Sequence, residues 1–550
     1  MCLEDTVPRA DLAGLREAEA RVYDLLEREL ATYGLPGLLT RRVPIDPRIE
    51  EHPFFSQVYY TRTPQRPEGV GVAECYAGRH NLLVFVEGDG RAAGGVNLAF
   101  NAHIDVVAPF FPPRVEGDAV FGRGACDDKG NIVVLLGALQ LLGEWLRRGG
   151  RLNRDLVGMI VIDEETGGNG SLSLALDREL RRRYDSLLVL ECASGGIYPG
   201  NRGCVWFKIE GERPGVNLFE AACFIIEELE KEGRALRAES DHPLFPHRPV
   251  QTCHGIIGNS GEHPSRINGD VSFEIVFEPA DGGVGAGGTA PSERCVRLVR
   301  DVIEDGLAQY VGLYGDKTKV NDPLTGRPRV DHHYDLTPGA GGLRVRVWGS
   351  TGHMGSIFEN DGAITKMAAL GRALLRSRRA IEAAAGAGMR LALCGWPDDS
   401  RLLMEGGQGF LPTHAMEDVQ NRIRAAARRG LEYYLRLIGG PADAAAGQRV
   451  TFEKLHNAAF AGPADSPDML NAIAAARQAG VYQEGPVRGW DVSCDARIFA
   501  CEYPGLPVIT TGPGLLRYAH SDQEQIDMRA VAGASEFIFH YILRQTGSQT

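Results

Sequence analysis

Along the first 200 residues, short apolar runs alternate with stretches whose apolar positions recur on a helical period. That alternation predicts strands separated by helices, the pattern of a mostly parallel sheet covered on both faces. Four runs carry it: NLLVFVEG from Asn81, VNLAFNAHIDVV from Val96, LVGMIVIDEET from Leu156 and SLLVLECAS from Ser186. Each is dense in Val, Ile and Leu, as strands buried on both faces are. In the last three the polar residues arrive together at the C-terminal end, the edge where open α/β sheets place their ligands.

From about Val205 the texture changes to CVWFKIEGE, DVSFEIVFEP and LRVRVWGS, separated by helices and Gly-rich loops, which predicts a second, α+β domain. The α/β texture then returns in GWDVSCDARIFACEYPGLPVITTGPG, with PVITT as a further strand before a closing helix. The expected division is one α/β domain built from residues 1–204 and 456–550, with an α+β insert over 205–455. Inside the insert, FKIEGERPGVNLFEAACFIIEELEKE and VRVWGSTGHMGSIFENDGAITKMAALGRALL both read strand, glycine turn, polar loop, helix. This echo predicts an internally duplicated insert with units at about 205–335 and 336–455; chance likeness of two strand–helix pairs is the alternative.

A chain of 550 residues must hold more than one core. Its formal charge of −13, from 72 acidic and 59 basic residues, opposes attraction to nucleic-acid phosphates or anionic lipid, so neither partner is expected. The opening MCLEDTVPRADLAGLREAEARVYDLL is charged on a helical period and reads as an ordinary first helix, not a signal peptide. No run reaches the roughly 18 apolar residues of a membrane span, so a cytoplasmic location is expected. The 11 cysteines include no C-x-x-C pair, which predicts buried thiols and leaves His, Asp and Glu to hold any metal.

Candidate chemistry sits at the strand ends. His103 and Asp105 are two apart, on one side of an extended chain, so that one can bind a metal while the other orients it; a structural His beside a solvated Asp is the alternative. Asp127 and Asp128 precede the apolar helix NIVVLLGALQLL, where carboxylates also serve as caps. Asp163, Glu164 and Glu165 run from an apolar strand into a glycine loop. Their repulsion falls when a cation binds one and another moves a proton, whereas an exposed acidic turn is the bland reading. Glu191 ends another apolar strand, and His520 lies in a loop entering the last helix. Together these form a ligand set for two divalent ions, with zinc favoured by the imidazoles and Mn2+ or Co2+ as alternatives. GVGAGG at 283–288 fits a dinucleotide fingerprint but stands apart from its strand by residues 278–281, so it reads as a surface loop. Serine-hydrolase, NTPase and single-zinc protease motifs are missing from the sequence.

The ordered series NAHIDVV, FGRGACDDKG, VIDEETGG, LLVLECAS and the late GPG with AHSDQE resembles the zinc aminoacylase/carboxypeptidase metallopeptidase family over about 95–210 and 485–530. That family includes glutamate carboxypeptidase, carnosinase-type dipeptidases, acetylornithine deacetylase and succinyl-diaminopimelate desuccinylase. The resemblance implies a di-zinc exopeptidase-type domain with a lid, in which Asp127 bridges two metals. His103 and Glu191 would complete one site, and Glu165 and His520 the other. Glu164 would be the general base, Asp105 would orient His103, and the Asp127–Asp128 peptide would be cis. His353, in WGSTGHMGSIFENDGAITKMA, would donate to the oxyanion, although the family's Asn-Ala becomes Asp361-Gly362-Ala363 here. Arg202 in GNRG and Arg266 are the candidates for gripping a substrate carboxylate.

The implied reaction is hydrolysis of an amide bond in a dipeptide or N-acyl amino acid. A deacylase for another small amide is the runner-up, and a non-catalytic binding protein that keeps the fold is the alternative from a different class. A duplicated lid would bring His353 to the site within one chain and allow a monomer; a plain insertion would leave the usual homodimer.

Overall fold

Strands this rich in apolar residues cannot face water, and three of the four predicted runs form the middle of a sheet. The computed structural model describes the chain except residues 91–93, 279–290, 323–325, 340–341, 357, 359, 441–446, 455 and 549–550; the 283–288 glycine run therefore lies outside the described residues. The first part of the chain supplies helix α1 (Leu12–Leu30), strands β1 (Leu39–Pro44), β2 (His80–Val86) and β3 (Leu98–His103), and helix α2 (Lys129–Arg147). It continues with β4 (Leu156–Val161), β5 (Ser186–Leu190) and β6 (Ile197–Tyr198). Every residue of β3, β4 and β5 is buried.

The insert follows as β7 (Gly203–Glu212), α3 (Leu218–Glu239), β8 (Thr252–Ile257), β9 (Arg266–Ile267), β10 (Asp270–Glu278) and α4 (Glu293–Tyr314). Next come β11 (Tyr334–Gly339), β12 (Gly342–Trp348), β13 (Gly352–His353), α5 (Ala363–Arg376) and β14 (Gly388–Leu393). It closes with β15 (Arg401–Phe410), α6 (Met416–Leu437) and β16 (Gln448–Thr451). The chain then returns through β17 (Val508–Thr511) and α7 (Met528–Gln545).

The central sheet has the order β1-β2-β4-β3-β5-β17-β6. Its β4-β3-β5-β17 core is parallel and its outer pairs are antiparallel, so the C-terminal ends of β3, β4 and β5 open on one edge. The helices pack on it: α7 lies against α2, and residues from both ends of the chain share one apolar core. The connections in and out of the insert run side by side, Gly200–Asn201 pairing with Phe460–Ala461, and the lid ladder extends from Gly203 to the 456–457 bridge onto β7.

The insert contains two antiparallel sheets, ordered β8-β15-β7-β16 and β11-β12-β10-β14. Each is a strand–helix–strand, strand–helix–strand unit with the same spatial order: second, third, first, fourth strand. The units are nested, however, and the expected consecutive boundary at 335/336 is corrected. The second unit (β10 to β14) is inserted whole between β8 and β15 of the first, because β10 pairs with β12 and β7 pairs with β15, almost 200 residues further on. The echo in the sequence matched the first half of one unit to the second half of the other. Each unit is itself two strand–helix–strand halves, so either half resembles any other. The helical faces meet, α3 packing on α5, and both units share a core distinct from that of the sheet domain.

Candidate metal centre

β3 ends at His103, and both His103 and, two residues on, Asp105 are buried. Asp127 and Asp128 precede α2, and the peptide bond between them is cis. Asp128 does not cap that helix with its side chain. Its carboxylate accepts the backbone N–H of His103 at 3.1 Å and the Asn131 amide at 2.6 Å, tying the two metal-candidate segments together.

Asp127 lies between two imidazoles. Its Oδ1 is 3.2 Å from His103 Nε2, and its Oδ2 is 3.3 Å from His520 Nε2. Glu191, released by β5, brings Oε1 to 3.7 Å from His103 Nε2, and Glu165, past the end of β4, brings Oε2 to 3.0 Å from His520 Nε2. Two buried triads therefore share one carboxylate: His103–Asp127–Glu191 and Asp127–Glu165–His520, the ligand atoms of each lying within 4.8 Å of one another.

The electrostatics follow from this crowding. Burial opposes a charge on His520, but Glu165 and Asp127 outweigh it and push its pKa up to about 10. His103 is also held well above its ordinary value: burial works against it, and hydrogen bonds to Asp105 and Asp127 prevail. Burial raises Glu164, with Asp495 adding to it, and burial raises Glu191 with help from Asp127 and Asp128. Among the described residues, Asp127, Glu165 and Glu191 make ion pairs only with the two histidines. Three buried carboxylates and two imidazoles without Lys or Arg are short of positive charge, which a proton on each ring only partly supplies. This oxygen-and-nitrogen donor set fits two divalent cations.

Supporting groups fix the ligands. Asp105 accepts the backbone N–H groups of Glu164 and Glu165 at 3.1 and 3.0 Å, while the Asp105 carbonyl meets His103 Nδ1 at 3.0 Å. Two supports escaped the sequence reading. Glu524 accepts the backbone N–H groups of Cys126 and Asp127 and is paired at 2.5 Å with the fully buried Arg123. Asp163, read before as one of three acidic candidates, points away from the centre at φ +60°. Its carboxylate is held by Arg79 and by the hydroxyls of Tyr60 and Tyr76, and Arg79 is in turn paired with Glu19 of α1.

The insert covers the centre. His353 lies on β13 with its ring 4.5 Å from that of His520, in the same chain. Its Nδ1 accepts the Gly355 backbone N–H at 2.9 Å, which places the ring proton on Nε2. Burial and neighbouring His520 hold the ring neutral, well below its ordinary pKa. The cleft between the parts holds about 510 Å³ of empty space, its open mouth included, and is walled by Trp206, Met354, Trp490, Val492 and Leu516. Arg202 also lines it. This guanidinium is fully buried; Nη1 donates to the Pro249 carbonyl, whereas Nε and Nη2 find no partner among the described residues. Arg266 is not brought to the cleft. It lines a neighbouring cavity, pairs with Glu262, and reaches Asp522 of the sheet domain at 2.7 Å, so the structure gives it a bridging position in place of a substrate-facing one.

Among curated proteins the chain is similar to carboxypeptidase G2 of Pseudomonas sp. (strain RS-16), 37% identical over 114 residues. The match spans 19% of this chain and only about a quarter (26%) of that relative's length. Its architecture is similar to that of human carnosine dipeptidase 1, with a TM-score of 0.53 and 12% identity over 99% of this chain and 95% of the other. It is likewise similar to Dug1p, a dipeptidase from Saccharomyces cerevisiae, with a TM-score of 0.54 and 12% identity over 100% and 95% of the two chains. The model of peptidase family M20/M25/M40 matches residues 99–544, a span that takes in all five clustered ligand candidates, and the chain belongs to that family.

Proposed function

We propose that this protein is a two-metal, zinc-type hydrolase that cleaves the amide bond of a small substrate, a dipeptide or an N-acyl amino acid. The observation that carries the reading is the pair of buried triads sharing Asp127, with one carboxylate oxygen facing each imidazole. Two divalent ions held there would polarise an amide carbonyl and lower the pKa of a water between them toward about 7.

The chain's own residues supply the rest. Glu164, buried in the wall of the same cleft, takes a proton from the attacking water and returns it to the leaving nitrogen. Asp105 holds the 164–165 backbone and the His103 ring in place, as the outer partner of a metal-ligating His does. His353, neutral with its proton on Nε2, donates to the oxygen that gains charge in the transition state. Arg202, which lines the cleft and has two donor nitrogens without a partner among the described residues, grips the substrate carboxylate. Because His353 comes from the same chain, a monomer is sufficient for turnover.

The test is Glu164→Ala. The variant should retain two metals per chain and lose at least about a hundredfold in kcat; full activity would remove the assignment. Dipeptides and acyl-amino acids, assayed with zinc, manganese and cobalt, identify the substrate class.

A further inference from the structure

The two clustered histidines are held in different ways. His103 Nδ1 is oriented by Asp105, two residues away in the same domain. His520 Nδ1 receives no such partner from the sheet domain among the described residues; its hydrogen bond, at 3.1 Å, is to Ser265 Oγ of the insert. Ser265 Oγ in turn meets His263 Nδ1 at 2.8 Å, and the His263 ring stands edge-on to Trp206 at 4.8 Å. Ser265 is buried, and it leads directly into the short ribbon in which Arg266 pairs with His353. The same ribbon is pinned to the loop carrying His520 by the ion pair between Arg266 and Asp522.

If Nε2 of His520 holds a cation, its Nδ1 must carry the proton, and the chain of donors has one direction: His520 Nδ1–H to Ser265 Oγ, and Ser265 O–H to His263 Nδ1. We propose that Ser265 is a positioning residue for His520, so that the Asp127–Glu165–His520 site is completed only when the insert is docked, whereas the His103 site is complete within the sheet domain. By linkage, docking of the insert strengthens that one site, and filling that site favours docking. This rests on the reading of His520 as a metal ligand and goes beyond it by making the two sites unequal.

The experiment is calorimetric and spectroscopic titration of the metal-free full-length protein with Co2+, without substrate. Wild type should show two sites. Ser265→Ala should weaken one of them by about 10- to 100-fold, the range for lost outer-shell partners, and alter its absorption band while leaving the other unchanged. Ser265→Thr, which keeps the hydroxyl, should restore it. Equal affinities in Ser265→Ala and wild type, or equal loss at both sites, overturns the proposal. His520→Ala separates the two layers: if it removes no site, the ligand assignment has failed, whereas loss of one site together with an unaffected Ser265→Ala rejects the relay alone. If Ser265→Ala does not fold, His263→Gln, which changes the far end of the chain of donors, is judged by the same single-site criterion.

Discussion

At Asp163 the backbone adopts a left-handed φ, a conformation costly for a non-glycine residue, and the next two positions carry Glu164 and Glu165 into the centre. Arg79 holds it there from inside the protein, with its guanidinium fully buried between Asp163 and Glu19. Removing that cation leaves two buried carboxylates uncompensated, so Arg79→Met should destabilise the fold by about 3–5 kcal/mol in urea unfolding; a loss below about 1 kcal/mol contradicts the clamp. A second residue-scale prediction concerns pH. In the metal-free protein, folding raises the pKa of His520 from 6.5 to about 10. The folded state then binds the proton more tightly, so this contribution to stability is full below pH 6.5 and is lost as pH rises through about 10. Calorimetry should show the metal-free Tm falling over that window while the metal-loaded protein, in which a cation takes the place of the proton on Nε2, stays level; a level metal-free profile is the contrary result. His103, Glu165 and Glu191 were legible because each follows an apolar run, whereas Asp127 and His520 lie in polar loops and were picked out by the ordered series of motifs. Arg79 and Glu524 were not, since their partners lie 84 and nearly 400 residues away and leave no local pattern.

Among the elements, the strands buried on both faces were legible for the same reason that they form: β3, β4 and β5 have no polar face to mark as solvent-exposed. Their shared parallel direction places His103, Glu165 and Glu191 on one edge, so the sheet itself gathers side chains that are far apart in sequence. The β9–β13 ribbon has the opposite character. It is two residues wide and has no periodicity to read, yet it brings Ser265 and His353 to the centre. Replacing its donor should affect the transition state more than ground-state binding. His353→Ala is expected to lower kcat by about 10²–10³-fold, roughly 2.7–4 kcal/mol, with KM little changed. A rise in KM alone would make His353 a binding residue instead.

In the whole molecule, the nested insert is the feature least accessible to sequence reading. The strands of its outer unit meet only after the inner unit has been traversed, and such pairing is set by tertiary packing with no adjacent turn to announce it. What nesting achieves is a cover made of two like units on a shared core, delivering His353 to the centre of its own chain. Mixing Glu164→Ala with His353→Ala should therefore recover no activity, because neither chain holds a complete centre; recovery on mixing would mean that the donor crosses between subunits. No described helix is long and apolar enough to cross a membrane.

If five distant side chains clasp two cations through one shared carboxylate, metal stoichiometry with single ligand replacements is the sharpest test of that arrangement. Wild type should bind two ions per chain, His103→Ala one, His520→Ala one, and Asp127→Asn should suffer severe loss of both. One ion in wild type, or two retained in Asp127→Asn, would contradict it.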